Sequence, residues 1–165
     1  MRHLRRKLTL RAHGEQVVFV KRAQERIEHV WMKAFLWALY LPDYPDVSVE
    51  VEVGDKYKPD VVEMDSRRGR PRFWGEAGHV GPEKIEALVD RYPRTHLAIA
   101  KWARSLDAVR ETVETAVHDV DRAAPVDLVR VPDDSAERVV DEKGRISISW
   151  DDVSWMRVGN AAAWR

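Results

Sequence analysis

The sequence predicts one α/β domain with a mixed central sheet flanked by helices. Three observations carry that expectation. Short β runs and amphipathic helices alternate in the order ββαβββαβαβ, with a further β segment at the C-terminus. Helices lying between strands bury their apolar stripes on the faces of a sheet. The 165 residues, 44% hydrophobic and 34% charged, have the length and composition of a single globular domain, read here as residues 1–165.

Lys7–Arg11 alternates polar and apolar residues, and after His13-Gly14 comes Val17-Val18-Phe19-Val20. Two β runs around a glycine turn read as a hairpin. A helix follows over about Arg22–Tyr40, where Ile27, Val30, Trp31, Ala34, Phe35 and Ala38 share one face. Pro42 and Pro45 stop it. Val47, Val49, Val51 and Val53 alternate with polar residues, the pattern of a strand with one buried face. Val61-Val62 opens the next strand and Phe73–Gly78 forms another, with Arg67–Arg72 as the hairpin tip between them.

Gly81-Pro82 then introduces a helix with Ile85, Leu88, Val89 and Tyr92 on its apolar face. His96–Ala100 is a short strand expected to be buried on both faces. Ser105 can cap a helix reaching about Arg122, and Val126–Val131 is a strand. The turn Asp141–Gly144 separates two final β runs, with Trp150 and Trp155 in the closing segment.

Composition excludes several classes of function. There is no cysteine, so thiol catalysis, disulfides and cysteine-ligated metal sites are ruled out. No apolar run approaches the roughly 20 residues of a membrane span. The N-terminal Met1–Lys7 stretch is basic but lacks the apolar core of a signal peptide. A cytoplasmic address is therefore expected, with no membrane partner. The 28 basic residues balance the 28 acidic ones, unlike a surface built throughout to grip a duplex. Asp43, Asp46, Glu50, Glu52 and Asp55 would repel a nucleic acid laid across their face, so a narrow cleft fits better. No P-loop, G-x-G-x-x-G or G-x-S-x-G is present.

The chemistry-bearing stretch is Lys58-Pro59-Asp60-Val61-Val62 together with Trp74-Gly75-Glu76-Ala77-Gly78. Paired strands can place Asp60 and Glu76 on one face. Two converging carboxylates repel unless a cation joins them, and hard oxygen donors suit Mg²⁺ or Mn²⁺. Read without other support, the pair is better taken as turn aspartates and a solvated glutamate. Pro-Asp also occurs at Pro42, Pro45 and Pro132, so the dipeptide itself says little.

The chain resembles the YaeQ family of the PD-(D/E)XK (restriction-endonuclease-like) nuclease superfamily. The resemblance rests on the N-terminal hairpin, Gln24-Glu25-Arg26, the helix ending Leu36-Trp37-Ala38-Leu39-Tyr40, Pro59-Asp60 and Trp74–Gly78. Lys84-Ile85 and Asp152-Val153-Ser154-Trp155 extend it. It implies a restriction-endonuclease-like αβββαβ core over about residues 22–101. It also implies a metal-dependent nuclease activity in which Asp60 and Glu76 hold Mg²⁺ or Mn²⁺. A first-helix glutamate would assist, with Glu28 the best match by position and Glu25 second. The superfamily motif has a lysine two residues after the glutamate; here that position is Gly78. Lys84 is the first candidate to replace it, followed by Lys58 and Lys101. Absent or altered chemistry is the alternative: a nuclease-fold scaffold acting as a binding or regulatory module.

His79, next to the motif, is a further candidate ligand or base. Arg67, Arg68, Arg70 and Arg72 are the candidate nucleic-acid contacts, since arginine pairs bidentately with phosphate, and are expected to flank the metal site. The helix start at Gly81-Pro82 offers a second, weaker anion position. Trp164 is assigned no role.

Overall fold

A computed structural model describes residues 5–159; Trp164 lies outside the described residues. The chain forms a β-hairpin, β1 (Arg5–Ala12) and β2 (Glu15–Arg22), followed by helix α1 (Ile27–Tyr40). Next come β3 (Ser48–Val49), β4 (Val61–Asp65), β5 (Arg70–Ala77), α2 (Pro82–Arg91), β6 (His96–Trp102), α3 (Asp107–Val117) and β7 (Val126–Val131). The short α4 (Ser135–Val139), a 3₁₀ turn at Trp150–Asp152 and β8 (Ser154–Val158) complete it.

Six strands form one mixed sheet in the order β3-β4-β5-β6-β7-β8. β5, β6 and β7 run parallel, and the outer pairings are antiparallel. The crossovers through α2 and α3 both step the same way along the sheet. Parallel crossovers share one hand, so both helices lie on the same face, where they pack on each other. The other face carries α1. Trp74, Leu97, Ile99, Val126 and Leu128 point toward α2 and α3, while Phe73, Ala98, Ala100 and Val129 point toward α1. That is the period-two alternation of a sheet buried on both sides. The hairpin folds onto α1 through Phe19. It is tied to the C-terminal segment by the Arg11 N–H to Gly144 carbonyl bond, 2.8 Å, and the Ile146 N–H to Arg11 carbonyl bond, 2.7 Å. Gly144 has φ 77°, and a Cβ there would collide with the Thr9 carbonyl, so the turn requires glycine.

Beneath α1 lies a buried polar cluster. Asp127 on β7 is 0% exposed. Its carboxylate accepts from the Tyr40 hydroxyl at 2.6 Å, His96 Nε2–H at 2.6 Å and Arg157 Nε–H at 2.7 Å. Burial acts to raise the carboxyl pKa, but these donors outweigh it and hold Asp127 below the ordinary value. The Tyr44 hydroxyl lies 2.8 Å from His96 Nδ1, and Tyr40, Tyr44, Phe73 and His96 pack ring against ring.

Four segments differ from the sequence pattern. α1 begins at Ile27 rather than near Arg22, because β2 continues to Arg22 and the chain then turns. The Glu25 N–H meets the Arg22 carbonyl at 3.1 Å there. The valine strand shrinks to Ser48–Val49 because Glu50 takes a left-handed φ of 55°. Beyond it the alternation no longer faces a partner, and Val51 is 42% exposed. α3 stops at Val117 rather than Arg122. Arg122 instead folds back to donate to the carbonyls of Val89, Tyr92 and Thr95. The first of the two final β runs is α4 plus a single Val140–Ile146 bridge. Among the described residues no helix is long and apolar enough to cross a membrane.

The Asp127 cluster yields a graded prediction. Tyr40→Phe removes one donor to a charged acceptor and should cost about 1.5–3 kcal/mol. Asp127→Ala strands several donors and should cost about 3–5 kcal/mol. Urea unfolding of the two variants checks the order; equal or negligible losses would contradict it.

Candidate functional site

The site lies where β4 begins and β5 ends. Val61 pairs with Gly75, so Asp60 stands one position before that pair and Glu76 one position after it. The Asp60 N–H reaches the Gly75 carbonyl at 3.1 Å. Its Oδ2 accepts from the Ala77 N–H at 2.8 Å, which fixes the carboxylate against the end of β5.

Glu76 alternates with Phe73 and Gly75 and therefore points toward α2. It is 5% exposed. Its Oε2 accepts from Trp74 Nε1–H at 2.7 Å, and its Oε1 from the Lys84 ammonium at 2.8 Å. Burial is the larger influence on Glu76, and the charge of Asp60 the next. Together they push its pKa above the ordinary value, although Lys84 and Trp74 act the other way. Lys84, in the first turn of α2, also sits 5.2 Å from the Tyr57 ring centroid. That is within range of a cation–π contact.

A second layer comes from the start of α1. Glu25, His29 and Lys33 follow one another at helical spacing, so they line one face. His29 Nδ1–H donates to Glu25 Oε2 at 2.7 Å, and its Nε2 lies 3.8 Å from Asp60 Oδ2. With carboxylates on both ring nitrogens, Asp60 first, the His29 pKa is raised above its ordinary value despite burial. Lys33 is 2% exposed, and its Nζ donates to Glu25 at 2.7 Å and Glu50 at 3.4 Å. Burial acts to raise the Glu25 carboxyl, but Lys33 and His29 outweigh it and hold it low. A cleft of about 440 Å³ opens between these groups, bounded by Glu25, His29, Lys33, Glu50, Lys58 and Asp60.

Asp60, Glu76 and Lys84 are therefore brought together. Glu28 lies half-buried on α1 with no hydrogen bond or ion pair among the described residues, whereas Glu25 reaches Asp60 through His29. Lys58 is exposed at the cleft. Lys101 donates to the Gly78 carbonyl at 2.8 Å. His79 is exposed, and among the described residues no group of three or more His, Asp and Glu side chains converges to hold a metal. Gly81 is the N-cap of α2, with Pro82 in its first turn.

Gly78 has φ 88°, a conformation that costs an L-residue roughly 1–2 kcal/mol. The backbone at Gly78 thus favours glycine, and the ammonium beside Glu76 comes from Lys84 on α2.

The basic turn is at the wrong end of its hairpin to flank this site. Asp65 and Arg70 close the hairpin where Arg67 and Arg68 sit. Five residues of strand separate Asp65 from Asp60, roughly 17 Å at 3.4 Å per residue. Arg70 and Arg72 belong to the start of β5. The arginines were expected to flank the site, and the eight-residue β5 carries the turn away from it.

Sequence reasoning did not single out His29 and Lys33. Their signal was present: Glu25, His29 and Lys33 recur every four residues, and Lys33 interrupts a helix otherwise apolar nearly all round.

No protein-family model matches this chain, and no curated protein matches its sequence. Solved structures that share its fold include two YaeQ proteins. The YaeQ protein from Pseudomonas syringae superposes with a TM-score of 0.59 at 16% identity, covering 84% of this chain and 76% of that one. The YaeQ protein from Xanthomonas axonopodis pv. citri gives 0.54 at 12% identity, covering 82% and 77%. At these identities the likeness is one of fold.

The raised His29 pKa predicts a pH dependence. A histidine whose folded pKa exceeds its unfolded one contributes stability that is complete below the unfolded value of 6.5 and is lost as pH rises through the folded value. Urea midpoints should therefore fall as pH is raised above 6.5, and His29→Gln should flatten that fall. A profile unaltered by the substitution would contradict the assignment.

Proposed function

We propose that the chain is a YaeQ-like member of the PD-(D/E)XK superfamily and a metal-dependent phosphodiesterase acting on nucleic acid. The observation that carries this reading is the Lys84 ammonium, 2.8 Å from Glu76 Oε1, beside a second carboxylate on Asp60.

The donor set fits a hard divalent cation. Burial first, and the charge of Asp60 after it, raise the Glu76 pKa, so a cation between the two carboxylates would offset both. Mg²⁺ is commonly held by one or two carboxylates and several waters. Asp60 and Glu76 would hold Mg²⁺ or Mn²⁺, with water completing the shell. When bound, such an ion lowers the pKa of a water and offsets charge on a phosphoryl oxygen.

The chain's own residues do the rest. The Ala77 N–H fixes Asp60, and Trp74 fixes Glu76. Lys84 neutralises Glu76 in the resting site. Turned from Glu76 toward substrate, its ammonium stabilises negative charge developing on the phosphate, the task the motif lysine performs from the position occupied here by Gly78. The roughly 440 Å³ cleft, lined by acidic as well as basic residues, suits a single strand or a strand end better than a duplex.

A second reading has its own observation. Both Glu76 oxygens already have donors, from Trp74 and Lys84, as in a nuclease fold that has become a binding or regulatory scaffold.

Cleavage of end-labelled single-stranded DNA and RNA with Mn²⁺ separates the two. The enzyme reading expects activity that falls about 10²–10⁴-fold in Lys84→Ala, the usual cost of losing such a group, and further in Asp60→Asn. Wild-type protein without activity on either strand would favour the scaffold.

A further inference from the structure

A second concave site lies at the opposite end of the sheet. It occupies about 660 Å³ and is lined by Arg68, Arg70, Arg72, Arg91, Arg94 and Arg157. Asp43 and Asp65 are the carboxylates on its lining. Tyr44 and His96 lie at its buried side, joined at 2.8 Å and continuous with the Asp127 cluster.

Three of the six guanidiniums are held in place by carboxylates set behind the surface. Arg157 donates to Asp127, Arg91 lies 2.5 Å from Asp55, and Arg72 lies 3.4 Å from Glu63. The other three, Arg68, Arg70 and Arg94, are exposed and have no carboxylate within ion-pair distance among the described residues. A further arginine lies behind the lining residues Tyr92 and Thr95. Arg122 spans the Tyr92 and Thr95 carbonyls, and its Nε–H is buried without an acceptor. No carboxylate neutralises it among the described residues, so burial lowers its pKa to about 10. Among the described residues Arg68, Arg70 and Arg94 line the groove without carboxylate partners, and an anion entering it offsets their charge.

The dimensions narrow the ligand. Small-ligand sites occupy roughly 300–1,000 Å³, and arginines fixed by partners lose less freedom when they bind a planar or tetrahedral oxyanion. We propose that this groove binds a compact ligand bearing clustered phosphates, of about nucleotide size. The three anchored arginines form a prepared cradle, and Arg68, Arg70 and Arg94 close around the charge. The site is separate from Asp60, Glu76 and Lys84, and its occupancy does not depend on whether they hold a metal.

Isothermal titration calorimetry with metal-free ATP tests this, with inorganic pyrophosphate and an oligothymidylate as comparison probes. Arg68→Gln/Arg94→Gln removes two exposed charges from the groove. Arg110→Gln/Arg138→Gln removes two exposed charges elsewhere and serves as the charge-matched control. The expected result is saturable binding of ATP, one per chain, weakened roughly tenfold or more in the groove variant and unchanged in the control. Pyrophosphate should compete. Three outcomes would overturn the proposal: no saturable binding of ATP, equal weakening in both double variants, or oligothymidylate binding that ATP does not displace. The last would make the surface a polymer-binding patch. Circular dichroism of the groove variant confirms that loss of binding is not loss of fold.

Discussion

The fold is pinned by a buried carboxylate. Asp127 sits on an inner strand of the sheet with no exposure, where an ionised group without partners would be untenable. Its donors come from α1, β6 and β8. Satisfying one charge therefore fixes the helix on its face, the register of two parallel strands and the last strand of the sheet. His96 carries the constraint outward to Tyr44, and the stacked rings around it fill the space between α1 and the sheet. Apolar packing supplies most of the driving force, but it is non-directional. The hydrogen-bonded charge selects one arrangement among those the apolar residues would accept.

That arrangement gives the sheet two chemically different ends. At the carboxyl ends of β5 and β6 the chain turns at Gly78, whose carbonyl accepts from Lys101. Acidic groups collect there around Asp60 and Glu76, with Lys33, His29 and Lys84 as internal counter-charges. Ligands of open α/β sheets commonly bind at the carboxyl ends of parallel strands. At the amino ends of the same strands the charged residues lining the groove are mostly arginines. A chain with equal numbers of acidic and basic residues thus has an arginine-rich groove at one end of the sheet that its net charge does not reveal.

Much of the architecture was legible because both periodicities are strong. The α1 stripe from Ile27 to Ala38 and the β runs at Val61, Phe73, His96 and Val126 appear where the pattern places them. The valine alternation from Val47 to Val53 misled for a definite reason. Its period is right, but Glu50 leaves the extended region and turns its carboxylate toward Lys33, a contact between residues seventeen apart in sequence. The end of α3 was misplaced because Arg122 finds carbonyl acceptors in another part of the chain. At the site, order and spacing could pair Asp60 with Glu76 but left a solvated pair as the alternative, and Lys84 was singled out only through the resemblance to the YaeQ family. The layer behind them, and the distance of the arginine turn, depend on which way side chains face and how long β5 runs. Neither is written in local pattern.

The central claim is that Asp60 and Glu76 form a site for a divalent cation. Thermal unfolding with rising Mn²⁺ tests it without any assumption about substrate, by comparing wild type with Asp60→Asn/Glu76→Gln. An ion that binds only the folded chain stabilises it by about 2.7 kcal/mol at one hundred times its Kd. The account predicts a midpoint that climbs with Mn²⁺ in wild type and stays level in the double variant. Equal responses in the two proteins, or none in either, would contradict it.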